Sequence, residues 1–171
     1  MRGILFLALL SSALAAGCDR IGLGPHRAAS APNEAPEARA APDLRPYAGA
    51  TLAEFLAAPG MDSYAPAALG LSEAEAARLA AAMAAPAPAM LTSGGGAEAI
   101  VFSGCAAGGC AEGRGVVAID LETGAAFVAV RDAAGEAAFR PNPRVEALLR
   151  LTSPTQRWDD PAPAPIVAAG P

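Results

Sequence analysis

The sequence predicts an α+β fold, a small antiparallel β-sheet meander with flanking helices and one disulfide-closed protruding loop. Three observations predict it. An alanine-rich helical pattern begins at Ser72, apolar runs separated by turn residues extend from Glu98 to Phe139, and a further amphipathic pattern begins at Pro143. Helices, then consecutive strands, then a helix are typical of domains in which helices pack against an antiparallel sheet.

Two helices come first in the chain. The first is predicted over residues 51–58 and ends at Pro59. Its apolar residues share one helical face: Leu52, Phe55 and Leu56. The second is predicted over residues 72–85. Ser72 and Glu75 form a capping-box pattern at its start, and two prolines follow its end.

The remaining elements follow in sequence order. Ser93–Gly96 is predicted to be a flexible connection. The strand-like runs are Ile100–Phe102, Val116–Leu121, Ala126–Val130 and Ala137–Phe139. Glu122–Gly124 and Asp132–Gly135 supply turn residues between consecutive runs. A final helix is predicted over residues 143–151, with proline at a favourable first position.

The N-terminus predicts export and lipidation. Arg2 precedes an apolar stretch that is too short to span a bilayer, which is typical of a cleaved signal peptide. Leu14-Ala15-Ala16-Gly17-Cys18 resembles a bacterial lipobox, which implies acylation of Cys18 and attachment to a membrane through that lipid. The alternative is cleavage after Ala15, which leaves Cys18 as a free thiol. Either outcome predicts a location in the periplasm or cell envelope.

The predicted organisation has four parts. Residues 1–17 are the signal peptide, and residues 18–46 are a lipidated N-terminus with a disordered linker rich in Ala, Pro, Arg and Glu. Residues 47–158 form the α+β domain. Residues 159–171 are a Pro/Ala-rich flexible tail, although Trp158 and the two aspartates after it are also candidates for packing over the core edge.

Cys105 and Cys110 follow a strand-like run directly and enclose four small residues. A redox pair usually has the spacing Cys-x-x-Cys at a helix N-terminus, and zinc needs four ligands. The longer spacing, the strand-loop-strand context and an oxidising compartment favour a structural disulfide. The sequence therefore predicts a stiffened loop that projects from the sheet as a contact tip.

Composition excludes several functions. Removal of the signal peptide leaves 11 arginines, no lysine and 17 acidic residues, which argues against nucleic-acid binding and favours basic partners. The only histidine, His26, lies in the linker, so no Ser-His-Asp arrangement is available to the domain. The acids Glu112, Asp120, Glu122 and Asp132 are interpreted as solvated loop residues. No enzyme, cofactor or metal site is predicted.

The segment from Ser103 through both cysteines to Arg114, with the hairpin after it, resembles the periplasmic inhibitors of vertebrate lysozyme. That resemblance implies a small antiparallel sheet with helices on one side. It also implies a disulfide-closed loop that plugs the active-site cleft of a lysozyme. The expected binding residues are Gly104, Ala106, Ala107, Gly108, Gly109 and Arg114, and the expected partner is a basic lysozyme-type protein.

The loop departs from the family pattern in its chemistry. The family loop usually reads Cys-Lys-Pro-His-Asp-Cys, and its histidine bonds the catalytic carboxylates of the enzyme. Ala106, Ala107, Gly108 and Gly109 stand in those four places, and none has a polar side chain. Two hypotheses follow: a lysozyme-type inhibitor with a divergent loop, or a non-inhibitory envelope lipoprotein that uses the scaffold for another binding or structural role.

Overall fold

The computed structural model describes residues 41–160. The helices are α1 (Leu52–Leu56), α2 (Glu73–Ala82) and α3 (Pro143–Thr152). The strands are β1 (Ala85–Pro86), β2 (Met90–Gly94), β3 (Ala97–Ala106), β4 (Gly109–Asp120), β5 (Ala126–Asp132) and β6 (Gly135–Arg140). Short 3₁₀ turns occupy Arg45–Tyr47 and Asp62–Tyr64.

The six strands form one antiparallel sheet in which β3, β4, β5 and β6 are neighbours in sequence order. β1 and β2 both pair with the free edge of β3, so together they act as one interrupted edge strand. The predicted meander is confirmed, and so is the α+β class.

Helices cover both faces of the sheet. On one face, Phe55 of α1 packs against Phe102 of β3, with ring centroids 4.8 Å apart. On the other face, the buried side of α3 packs on the strands, and Trp158 meets the edge of Phe127 at 5.9 Å. The expectation that the helices lie on one side is wrong, because the apolar residues of β3, β4 and β5 alternate in direction and both sets are buried.

The capping box at the start of α2 is confirmed. The backbone N–H of Glu75 donates to the hydroxyl of Ser72, and the Glu75 carboxylate accepts from the Ser72 backbone N–H at 2.8 Å. Thr51 and Glu54 form a second capping box at the start of α1. Both caps satisfy N–H groups that the first turn of a helix leaves without partners.

Two local expectations are wrong. Ser93–Gly96 is not a flexible connection, because β2 runs through Gly94 and pairs in register with Ala97 across a tight turn. Gly95 and Gly96 form that turn with positive φ angles, which glycine adopts at little cost. Likewise α2 ends at Ala82 and not at Ala85, because Ala85 and Pro86 extend to pair with β3.

The described residues do not include the predicted signal peptide, most of the linker with Cys18 and His26, or the chain after Asp160. Within residues 41–160, packing begins at Leu44, which is buried. It continues through Asp159, which is 3% exposed, so the folded body passes the expected boundary at Trp158. No helix of the described part is long and apolar enough to cross a membrane.

Candidate functional site

The hairpin between β3 and β4 carries the two cysteines. They form a disulfide with Cα atoms 4.6 Å apart, as predicted. The strands extend through both cysteines, so the turn itself contains only Ala107 and Gly108, and both are exposed. Gly109 has a φ of +107°, a conformation that residues with a side chain rarely adopt. The result is a thin, braced tip with little side-chain bulk.

An irregularity in pairing lies directly behind the tip. Ala106 pairs with Gly109, but the next pair is Cys105 with Arg114, so residues 110–113 have no partner in β3 and form a bulge, although Gly113 still pairs with Asp132 of β5. Bulges of this kind bend a strand and redirect its side chains. The bulge separates the tip from the regular sheet and brings Glu112 back toward it.

Gly104 lies behind the tip and is buried. A Cβ atom there would stand 3.0 Å from the Cα of Met83 and 3.1 Å from the carbonyl oxygen of Ala85. Its cross-strand partner Gly115 leaves room for the Met83 side chain in the same way. Gly104, an expected binding residue, is therefore buried and lets the segment from Met83 to Pro86 pass close to β3.

Arg114 stands at the base of the hairpin and is directed at the C-terminal segment. Its Nη1 donates to the carbonyl oxygen of Asp159 at 2.7 Å and to the carboxylate of Asp160 at 3.1 Å. Its buried Nε has no hydrogen-bond partner within the described residues. Among the predicted site residues, the tip thus brings together Ala106 to Gly109, whereas Arg114 is engaged within the molecule.

A buried carboxylate organises the charges beneath the loop. Asp159 forms ion pairs with Arg131 and with Arg157. Burial by itself would raise the pKa of Asp159, but the hydrogen bonds and positive charges of the two arginines outweigh it and lower that pKa. Arg131 also donates to the carbonyl oxygen of Cys110 at 3.3 Å. The loop, β5 and the C-terminal segment are therefore joined through one cluster.

Glu112 lies beside the tip, a position that its place in the sequence does not predict. Its carboxylate lies against Gly108 at the tip, where a Cβ atom on that glycine would be 2.0 Å from Oε2. Glu112 itself is exposed. The only signal in the sequence is an acid directly after the loop. Nothing in the spacing indicates that the chain bulges and returns this side chain to the tip.

A groove of about 300 Å³ lies beside the disulfide. Its walls come from the edge-strand alanines, the two cysteines and Arg114 with its aspartate partners. Within residues 41–160 no group of three or more His, Cys, Asp or Glu side chains is placed to hold a metal ion. Arg114 is bonded to its two aspartate partners at this groove, whereas the tip of the hairpin is exposed.

A narrow hairpin braced by a disulfide leads from the packed α+β body to an exposed turn. The model of the family described as inhibitor of vertebrate lysozyme (Ivy) matches residues 64–165. This match spans more than half of the chain, and the chain belongs to that family. No curated protein and no solved structure matches it.

Proposed function

We propose that this protein binds and inhibits a lysozyme-type glycosidase by inserting the Cys105–Cys110 hairpin into the active-site cleft. The observation that carries the proposal is the exposed, disulfide-braced tip in a chain that belongs to the lysozyme-inhibitor family. The protein acts through binding and catalyses no reaction of its own.

The shape of the tip supports insertion. Ala107 and Gly108 present no side chain beyond one methyl group, so the turn is little wider than its backbone. The backbone N–H and C=O groups at the turn are the groups that can bond the walls of a cleft. Because the disulfide and the Arg131 contact hold the hairpin before binding, less conformational entropy is lost in the complex.

Charge supports a basic partner. Without residues 1–17 the chain has six more acids than arginines. An acidic surface speeds encounter with a basic enzyme, and at about 0.1 M salt this attraction is largely screened beyond about 10 Å. Inhibition is therefore expected to fall between low and moderate ionic strength.

The location that fits this role is the bacterial envelope, where a lysozyme would meet the cell wall. The lipobox-like segment ending at Cys18 supports a lipid anchor, and the following linker would let the domain reach away from the membrane. Anchoring of this kind raises the local concentration of the inhibitor beside the wall that it protects.

Lysis of peptidoglycan by a vertebrate C-type lysozyme tests the proposal. The purified domain is expected to slow lysis, and Ala107→Trp, which enlarges the exposed tip, is expected to abolish that effect. Ala74→Trp places the same side chain on an exposed position of α2 and should inhibit like wild type. Full lysis in the presence of wild type at low salt would contradict the proposal.

A second candidate is a non-inhibitory envelope lipoprotein on the same scaffold. The observation that favours it is the absence of any polar side chain in the four places between the cysteines. Loss of a central polar contact typically costs about 2 kcal/mol or more. Gly108→His separates the two candidates, because its imidazole, which also displaces the Glu112 carboxylate, should change inhibition only when the hairpin docks in a glycosidase cleft.

A further inference from the structure

The missing side chain at position 108 leaves space beside the turn that another residue fills. Gly108 is absent from the residues with positive φ, in contrast to its neighbour Gly109. Its missing Cβ would instead overlap the Glu112 side chain, 2.0 Å from Oε2 and 2.3 Å from Cδ. The carboxylate of Glu112 therefore occupies the volume that a side chain at position 108 would otherwise fill.

This carboxylate has no partner inside the described part of the chain. No hydrogen bond or ion pair within residues 41–160 engages it. Arg78 of α2, which reaches the hollow that Glu112 lines, is bound to Asp132 of β5 at 2.6 and 2.7 Å. Arg131 is bound to Asp159 and to the Cys110 carbonyl. Glu112 is thus an open acceptor at the projecting tip.

We propose that Glu112 is a specificity-determining residue of the loop, whose carboxylate accepts a hydrogen bond from the protonated catalytic acid of the target. The inference rests on the proposed function. Glycosidases carry two carboxyl groups in the cleft, of which one is held protonated as the general acid. A carboxylate at the tip repels an ionised group but forms a short, strong bond with a protonated one.

Proton uptake follows from this contact. The complex retains a proton that the free enzyme releases when the pH rises through the pKa of its general acid, which is roughly 6 in such sites. Affinity should therefore be nearly constant at lower pH and fall about tenfold per pH unit at higher pH. Between pH 5.5 and 7.5 the dissociation constant should rise roughly twentyfold by the same linkage.

Calorimetric titration of the lipid-free mature domain with a vertebrate C-type lysozyme measures this directly. Two buffers of different ionisation enthalpy at each pH report the number of protons taken up. Wild type is expected to take up about one proton at pH 7.5. Glu112→Gln, whose amide can donate to an ionised acid, should bind with no uptake and a flat pH profile.

Two further variants sharpen the test. Gly108→Ala, which displaces the carboxylate by its methyl group, should lose the uptake while retaining an unaltered Glu112. Glu73→Gln removes an exposed acid of α2 instead, and this variant should still take up a proton on binding. Binding by wild type without uptake, or uptake retained in Glu112→Gln, would overturn this inference and leave the proposed function standing. No binding by any variant at any pH would contradict both.

Discussion

The guanidinium of Arg131 donates a hydrogen bond to the carbonyl oxygen of Cys110, 21 positions earlier in the chain. The same guanidinium pairs with the buried carboxylate of Asp159. Arg131 of β5 therefore holds the second cysteine of the hairpin in place, and Asp159 of the C-terminal segment in turn holds Arg131. The rigidity of the tip depends on this chain of contacts as well as on the disulfide.

Asp159→Asn is expected to destabilise the fold by about 3 kcal/mol. Removal of the buried member of an ion pair leaves its partners less compensated: Arg131 loses its carboxylate, whereas Arg157 keeps Glu136. Urea unfolding followed by Trp158 fluorescence measures the change. Asp160→Asn is the control, because the Asp160 side chain is 37% exposed and contacts Arg114 and the Thr155 hydroxyl at the surface, so its loss should be about 1 kcal/mol or less.

The same variant should change the response to acid. Because the pKa of Asp159 is lowered in the folded state, its contribution is fully present above the ordinary aspartate pKa of about 4 and disappears as pH falls through the lower folded value. As the pH falls below about 4, the free energy of unfolding should therefore decrease more in wild type than in Asp159→Asn. Parallel pH profiles for the two proteins would contradict this assignment.

Gly104→Ala is expected to destabilise the protein by about 1–3 kcal/mol. The new Cβ would meet backbone atoms of Met83 and Ala85 that cannot turn away. Thermal unfolding measures the effect. Gly108→Ala is the matched control, since its methyl group meets only the flexible Glu112 side chain and should leave the melting temperature nearly unchanged.

Cys105 and Cys110 are expected to be bonded in the exported protein. Mass spectrometry without reduction should find the loop peptide lighter by two hydrogens, and both thiols free after export would contradict the pairing. The double serine variant should lose only about 2 kcal/mol, because the closed loop is short. A larger loss would mean that the bridge supports the fold and not mainly the tip.

Cys18 is expected to be acylated and residues 1–17 to be absent from the mature protein. The lipobox-like segment is the reason. Fractionation should find wild type with the membranes and Cys18→Ser soluble in the periplasm. Soluble wild type that begins at Ala16 would show that ordinary cleavage occurs and that the cysteine is not lipidated.

Local patterns predicted much of the fold. The Ser72–Glu75 capping box, the apolar runs of the meander and the paired cysteines each depend on residues within a few positions of one another. The strand β2 was not predictable in this way. Its run into Gly94-Gly95-Gly96 has the composition of a loop, and its pairing with β3 outweighs the low strand propensity of glycine.

The chemistry beneath the loop depends on contacts between distant residues. Asp159 looks like a tail residue in sequence, and only the packing of Trp158 on Phe127 brings it to Arg131. Glu112 looks like a solvated acid, and only the bulge after Cys110 directs it to Gly108. Neither contact leaves a periodic or short-range signature that the sequence alone could reveal.

Competition with a cleft ligand tests the central claim most directly. The domain is titrated into a vertebrate C-type lysozyme with and without a saturating oligosaccharide that fills the substrate cleft. Insertion of the Cys105–Cys110 hairpin predicts that the oligosaccharide raises the apparent dissociation constant of the domain by the factor 1 + [L]/Kd, where [L] and Kd are the concentration and dissociation constant of the oligosaccharide. Equal affinity with the cleft empty and filled would contradict insertion and place the contact elsewhere on the enzyme.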